Sequence, residues 1–396
     1  MSRNRLVVLG ASGFVGTTLT ERMIRRADWD VVPVIHSAGS AWRLARHGRH
    51  LAQVDIADRR ALREVLRGAT HVVNCTRGGR DVMIDSLSNV LSECKDVGVR
   101  RFVHLSSVLV YGDPPAAAAE SESGPVDATQ PEDTYGGMKL EQDQMVAAAS
   151  RQGLSSIILC PPNITGPFSM YLCGMVDGLR KGSFGLVGDG EGPCNIVDVR
   201  TLAAAIESAF IAPDHVADAT RMFVTDGSDT RWKDVVDELL PLTGVESVRR
   251  IDKTVLMRRI RDQQAKRPAT LRGALKHLIS SDVREALRQD PLLERVDRFA
   301  RRSVAMLGSK LEGQIRRSIE GTTPVQLVDM LAGLQFGMCA QQLRTVRHRD
   351  DLIRKRMGFA PPIDFRTSME DFRRWYRSMY GHGGPEWFLA SRLYSA

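Results

Sequence analysis

The stretch that most constrains this chain is Gly10-Ala11-Ser12-Gly13-Phe14-Val15-Gly16. It follows a short apolar run, Leu6-Val7-Val8-Leu9, and leads into an amphipathic segment from Thr17 to Arg26. The pattern reads as strand, tight turn, helix. Gly10 can take the backbone angles of a sharp turn. Gly13 lets the main chain approach a pyrophosphate, and Gly16 lets the helix sit close against the strand. The helix N-terminus then offers unpaired N–H groups and a partial positive charge to phosphates. Gly10, Ser12, Gly13, Phe14, Val15 and Gly16 are therefore candidate dinucleotide contacts.

A second pattern carries chemistry. Tyr135-Gly136-Gly137-Met138-Lys139 places a phenol and an ammonium at i and i+4, on one face of a helix. A cation one turn away favours the phenolate and predicts a lowered phenol pKa. Such a tyrosine can exchange a proton with a substrate hydroxyl. Ser107 stands four residues before Tyr111-Gly112, at the end of an apolar run from Arg101.

Taken in order, the Gly-x-x-Gly-x-x-Gly turn, Ser107 before its Tyr-Gly, and Tyr135-x-x-x-Lys139 resemble the extended branch of the short-chain dehydrogenase/reductase superfamily, the NAD-dependent epimerase/dehydratase family. The resemblance is good over about residues 4–250 and looser over 345–378. It implies an enzyme that moves a hydride reversibly between NAD(P) and a secondary alcohol or ketone. Tyr135 would be the acid/base, Lys139 its electrostatic partner and a hold on the nicotinamide ribose, and Ser107 the donor that aligns the reacting oxygen. Ser106, Asn74 and Cys75 would lie beside the cofactor, and Asp55 with Ile56 at its adenine.

Cys160-Pro161-Pro162-Asn163-Ile164-Thr165-Gly166-Pro167 is similar to the loop that covers the nicotinamide in this family, with Pro161 and Asn163 as the cofactor candidates. Cys160 and Thr165 stand where Arg and Tyr are usual. Cys160 reads as a buried strand-end thiol rather than a nucleophile. Asp198 reads equally as a helix cap or a ligand.

The choice of cofactor turns on the end of the second strand, Val31 to Ile35. An acidic residue there would grip the ribose 2′-hydroxyl. The chain instead has His36-Ser37-Ala38-Gly39, with Arg43 and Arg46 just beyond. The missing carboxylate and the arginines favour NADP over NAD, with His36 and Arg43 near the ribose.

The predicted fold is α/β, a doubly wound parallel sheet (Rossmann) with a smaller C-terminal substrate lobe and a helical insertion. Residues 1–165 form the NAD(P)-binding domain with the Ser/Tyr/Lys set, 166–250 and 344–380 the substrate lobe, and 251–343 the insertion. Residues 113–133 are rich in Pro, Ala, Ser and Glu, a disorder-prone composition that suggests a lid over the site.

The insertion carries the basic character of the chain. Between Arg249 and Arg317 there are 19 Lys and Arg against 8 Asp and Glu, while the whole chain has a net charge of +8. Apolar residues at helical spacing, including Leu271, Leu275, Leu292, Val296 and Phe299, predict two to four helices. Three readings fit this segment. It is a solvated helical cap, a peripheral membrane or lipid contact through 251–320, or a contact for an acidic partner or a second copy. Aromatics are too few for nucleic-acid stacking.

Six scattered cysteines without a Cys-x-x-Cys pair argue against a metal site or a disulfide framework and fit a reducing cytoplasm. The first residues do not read as a signal peptide, and no apolar run approaches the ~20 residues needed to cross a bilayer. The localisation expected is cytoplasmic, with the inner face of a membrane as the place of any lipid contact.

The resemblance also implies a homodimer through the helices at 81–97 and 135–152. For the substrate it points first to a nucleotide sugar, acted on by an epimerase or reductase. A dehydratase ranks lower because Val108-Leu109 stands where an acidic pair is expected after Ser107. The alternative is an NADPH-dependent reductase of a hydrophobic carbonyl compound, sterol-like or a long-chain ketone. A non-catalytic nucleotide-binding regulator would be marked by loss of Tyr or Lys, and both are present.

Overall fold

The computed structural model describes residues 3–47, 51–265 and 333–380. The chain divides into two units, Met1–Arg250 with Leu334–Ala396, and Ile251–Gly333. In chain order the strands of the first unit are β1 (Asn4–Leu9), β2 (Trp29–Ile35), β3 (Ala52–Gln53), β4 (His71–Asn74), β5 (Arg101–Leu105), β6 (Ser156–Cys160), β7 (Asn163–Thr165), β8 (Leu186–Val187), β9 (Ile196–Asp198) and β10 (Asp218–Phe223). Its main helices are α1 (Phe14–Met23), α2 (Trp42–Ala45), α3 (Arg59–Leu66), α4 (Ser86–Asp96), α5 (Tyr135–Arg151), α6 (Met170–Arg180), α7 (Val199–Ile211) and α8 (Trp232–Leu239).

Seven strands form one parallel sheet in the order β10-β6-β5-β4-β1-β2-β3. Strand β1 lies between β2 and β4, so that Val8 faces Pro33 on one side and Val73 on the other. The chain therefore winds outward in both directions from β1. The gap beyond the carboxyl ends of β1 and β4 is the place where such sheets bind ligands. The strands are near-continuous apolar runs because both faces are covered. Leu6 and Val8 pack on one side with Leu19 and Met23 of α1 and Leu202, Ile206 and Phe210 of α7. Val7 and Leu9 pack on the other with Leu62 and Leu66 of α3, Val90 of α4 and Val146 of α5.

Asp58 caps α3 as its position suggests, accepting from the N–H groups of Arg60 and Ala61 at 2.9 and 3.1 Å. Asp198 is also a cap. It accepts the Arg200 N–H at 2.8 Å at the start of α7 and pairs with the Arg200 guanidinium.

Several elements differ from the sequence expectation. The run after β5 does not continue as a strand to Gly112. It closes into a 3-10 turn over Val108–Tyr111, because the Ser107 hydroxyl accepts the Leu109 N–H at 3.2 Å and diverts the backbone. Residues expected to complete the substrate lobe instead finish the nucleotide-binding sheet. α7 packs on α1 through its buried alanines, Ala203, Ala205 and Ala209, and β10 lies parallel to β6, with Phe223 beside Cys160.

The segment from Leu334 to Leu343, assigned to the insertion from sequence, packs on the substrate lobe. Gln335 N–H bonds the Ser183 carbonyl at 2.8 Å, and Gln342 clamps β8 through the Val187 N–H and the Gly185 carbonyl. Of the insertion's predicted helices, one over Lys253–Ala265 is observed. The apolar positions from Leu271 to Ile315 lie outside the described residues.

The 113–134 stretch is an ordered strap. Arg344 makes a two-pronged pair with Asp113, both bonds at 2.8 Å. The Ala119 carbonyl meets His348 Nδ1 at 2.8 Å, the Glu122 carboxylate accepts the Phe223 N–H at 2.8 Å, and Gln130 reaches the Leu109 carbonyl at 2.9 Å. A polar composition became ordered here because its partners come from distant residues.

Among the described residues three histidines are buried, His71, His104 and His348. Burial pushes the imidazoles of His71 and His348 from 6.5 down to about 4, and His104 down as well. The unfolded chain thus binds more protons than the folded one between these values, so stability is lost as the pH falls from 6.5 toward 4. Melting temperature should drop steeply through that window, and a His71→Gln/His348→Gln variant should show a shallower drop.

Candidate active site

The glycine turn is built as its spacing requires. Gly10 has φ of +74°, and a Cβ there would stand 2.9 Å from the Cys75 carbonyl group at the end of β4. At Gly16 an added Cβ would lie 2.2 Å from the Gly10 carbonyl oxygen, because α1 is pressed onto the turn. At Gly13 the nearest neighbour of such a Cβ is the Gly10 oxygen at 3.3 Å. The turn therefore closes tightly on its protein side at Gly10 and Gly16. α1 begins at Phe14, directly after Gly13, so its first N–H groups face the gap at the carboxyl end of β1. This cradle fits a dinucleotide pyrophosphate, with Ser12, Phe14 and Val15 in the same turn.

The second half of the site comes from β5 and α5. Thr134 caps α5, its hydroxyl accepting the Gly137 N–H at 3.1 Å. Tyr135 and Lys139 follow one turn apart. Lys139 is buried, and its ammonium donates to the Leu105 carbonyl at the end of β5, 2.7 Å away. Burial pushes Lys139 down to about 8, while Asp143 and the Cys75 thiol act to raise it. Its Nζ lies 5.8 Å from the centre of the Tyr135 ring. Ser107, two residues beyond Leu105, is 8% exposed.

The expected lowering of the Tyr135 phenol is not what the geometry gives. Burial pushes it up, Arg77 opposes that, and Asp143 adds to it. Lys139 directs its ammonium to the Leu105 carbonyl, whereas the Arg77 guanidinium stands 5.1 Å from the ring centre.

Behind Lys139 lies a polar cluster that the sequence reading missed. Asp143, fully buried, accepts from the Arg221 guanidinium at 2.5 Å and the Ser106 hydroxyl at 2.9 Å. His104 Nε2 is 3.6 Å from its other oxygen, and Asn74 Nδ2 is 3.5 Å from His104 Nδ1. Asp143 could have been found, because it continues the Tyr135 and Lys139 face at one more helical turn. Arg221 could not, since it arrives from β10.

Other predicted site residues are placed as follows. The Ser106 hydroxyl gives its proton to Asp143, which leaves its oxygen only as an acceptor. The Asn74 side-chain oxygen closes a turn by accepting from the Thr76 hydroxyl and N–H, at 2.6 and 3.2 Å. Cys75 sits between the Gly10 turn and Lys139, its thiol pushed up to about 12 by burial. Cys160 is fully buried with its thiol pushed up, so the inert reading holds.

Pro161 is buried, and its carbonyl accepts the Val108 N–H at 3.2 Å. The Asn163 amide donates to the Gln341 side-chain oxygen at 3.0 Å, as does the Tyr171 hydroxyl at 3.1 Å. Gln341 is thus a further polar residue near Asn163 that its sequence surroundings did not signal.

At the other end, His36 is exposed just after β2, and Asp55 turns back to accept the Ala57 N–H at 2.9 Å, with Ile56 between them. The arginines on which the NADP expectation rests are both engaged by one carboxylate on α1. Glu21 lies 2.6 Å from Arg46 and 3.7 Å from Arg43. Arg43 also stacks on Phe168, 4.0 Å from its ring centre.

A sheet that diverges at β1, a glycine turn aimed into that divergence and a half-buried Tyr135 one helical turn from the buried Lys139 define a dinucleotide-binding α/β protein. Residues 6–222 match the NAD dependent epimerase/dehydratase family, and the chain belongs to that family. It is an NAD(P)-dependent enzyme of the extended short-chain dehydrogenase/reductase type.

UDP-glucose 4-epimerase from Vibrio cholerae is 26% identical over 255 residues, which cover 59% of this chain and 74% of the relative. The 2-alkyl-3-oxoalkanoate reductase of Stenotrophomonas maltophilia is 26% identical over 267 residues, 63% of this chain and 78% of that one. The solved dTDP-glucose 4,6-dehydratase of Bacillus anthracis, in complex with NAD, shares the fold with a TM-score of 0.63 and 14% identity, over 95% of this chain and 97% of that one. Among the described residues no helix is long and apolar enough to cross a membrane, and no cluster of side chains could hold a metal ion.

Proposed function

We propose that the protein interconverts a secondary alcohol and a ketone, with Tyr135 as acid/base, Lys139 as its electrostatic partner and Ser107 as the aligning donor. The observation that carries this is the fixed Tyr135–Lys139 pair. Lys139 is tied to the Leu105 carbonyl at 2.7 Å, at the carboxyl edge of the sheet where Ser107 also emerges. The bound nicotinamide would supply or accept the hydride. Tyr135 Oη would give a proton to the substrate oxygen in reduction and take it back in oxidation. Burial keeps that proton on the phenol in the free protein. The Lys139 charge, close behind the ring, would steady the phenolate that forms.

The substrate we propose first is a nucleotide sugar, handled by epimerisation or reduction, in line with the Vibrio cholerae relative. The second reading, a hydrophobic carbonyl compound, is favoured by the Stenotrophomonas maltophilia relative and by Cys160 in place of a charged residue. For the cofactor we propose NAD, because Glu21 engages the two arginines that would otherwise favour NADP.

The experiment is a paired assay of the purified protein. UDP-glucose with NAD is followed for sugar epimerisation, and a 2-alkyl-3-oxoalkanoate with NADH or NADPH for nicotinamide oxidation. Turnover of the sugar supports the first reading. Turnover of the oxoalkanoate alone replaces it with the second.

A further inference from the structure

We infer that Arg77 is a positioning residue for the acid/base, with its guanidinium laid on the Tyr135 ring to hold the phenolate that proton transfer leaves behind. The inference rests on the assignment of Tyr135 made above.

Arg77 is exposed, in the loop that leaves the carboxyl end of β4. Its guanidinium carbon stands 5.1 Å from the Tyr135 ring centre, within the range of a cation–π contact. The other arginine of this loop is committed elsewhere. Arg80 binds Glu141 at 2.8 Å and the Glu132 carbonyl at 3.3 Å. Among the described residues Arg77 has no carboxylate partner, and Gly78-Gly79 follows it directly. Its charge is therefore not cancelled locally.

The charged groups that bear on Tyr135 come from two elements. Lys139 and Asp143 lie along α5, and Arg77 lies in the loop after β4. Lys139 is tied to Leu105, and Asp143 disfavours a phenolate. When Tyr135 gives its proton to a substrate oxygen, the electron pair of the broken O–H bond stays on Oη. The resulting anion spreads over the ring beneath Arg77, which attracts it more strongly than the neutral phenol. Water later returns the proton.

The test reads Tyr135 directly and needs no substrate. Tyrosinate absorbance is recorded immediately after a jump to alkaline pH, on the full-length protein. The Tyr135 contribution is isolated by subtracting Tyr135→Phe from wild type, and Arg77→Gln/Tyr135→Phe from Arg77→Gln. Removing a cation about 5 Å away in a mostly aqueous setting should raise the Tyr135 pKa by roughly half to one. Arg77→Lys should keep most of the wild-type value. In about 1 M salt, where the screening length is near 3 Å, the difference between wild type and Arg77→Gln should shrink.

An unchanged pKa in Arg77→Gln overturns the inference, and so does an Arg77→Lys variant that titrates like Arg77→Gln. Because the titration is independent of turnover, its failure is distinct from any failure of Tyr135→Phe to abolish activity.

Discussion

Replacing Tyr135 with Phe should lower turnover by about 10²–10⁴-fold, the usual contribution of a positioned acid/base, while the affinity for the dinucleotide stays unchanged. The substitution removes one oxygen and keeps the ring. Arg77 retains its aromatic face, Thr134 still caps α5 and Lys139 keeps its bond to Leu105. The fold should therefore be intact, and any lost activity belongs to the missing proton. The check combines turnover with cofactor binding followed by fluorescence quenching. Retained turnover with normal binding would place the proton transfer elsewhere and remove Tyr135 from the chemistry.

Gly16→Ala should have a large structural effect for a single methyl group. The new Cβ would stand 2.2 Å from the Gly10 carbonyl oxygen and 2.9 Å from Ala11 Cα, both backbone atoms of the turn. Neither can rotate aside, so α1 must lift off β1. Overpacking of this kind costs about 1–3 kcal/mol and sometimes more. The displaced helix would also carry its N-terminal N–H groups away from the phosphates, so dinucleotide binding should be lost before folding is. Gly337→Ala provides the control. A Cβ there meets nothing within 4 Å, and the residue lies in the helix Phe336–Ala340, where alanine is favoured over glycine by about 1 kcal/mol. Thermal melts should show Gly337→Ala at or above wild type and Gly16→Ala well below it.

Local patterns proved readable and long-range pairings did not. The glycine turn, the two-sided apolar strands and the Asp58 cap depend on neighbours within a few residues, so their chemistry is visible in order. The α5 face carrying Tyr135 and Lys139 was equally plain. The extent of the sheet was not, because β10 is six residues that join β6 only after the intervening β7, α6, β8, β9 and α7. The strap at 113–134 looked mobile for a related reason. Its ordering partners Arg344 and His348 lie more than two hundred residues away, and nothing near the strap announces them. Arg43 and Arg46 show the same limit in electrostatics. Their charges suggested a phosphate site until Glu21, on another helix, was seen to engage both. Arg221 reached Asp143 in the same way, from a different strand.

The measurement that tests the account most directly is made on the protein as purified. It is denatured, and any nucleotide released is identified by mass spectrometry together with its redox state. The account predicts NAD, held tightly enough to survive purification, as suits an enzyme that returns the hydride it removes. A protein that releases no nucleotide, and then binds neither NADH nor NADPH when they are added, would contradict it.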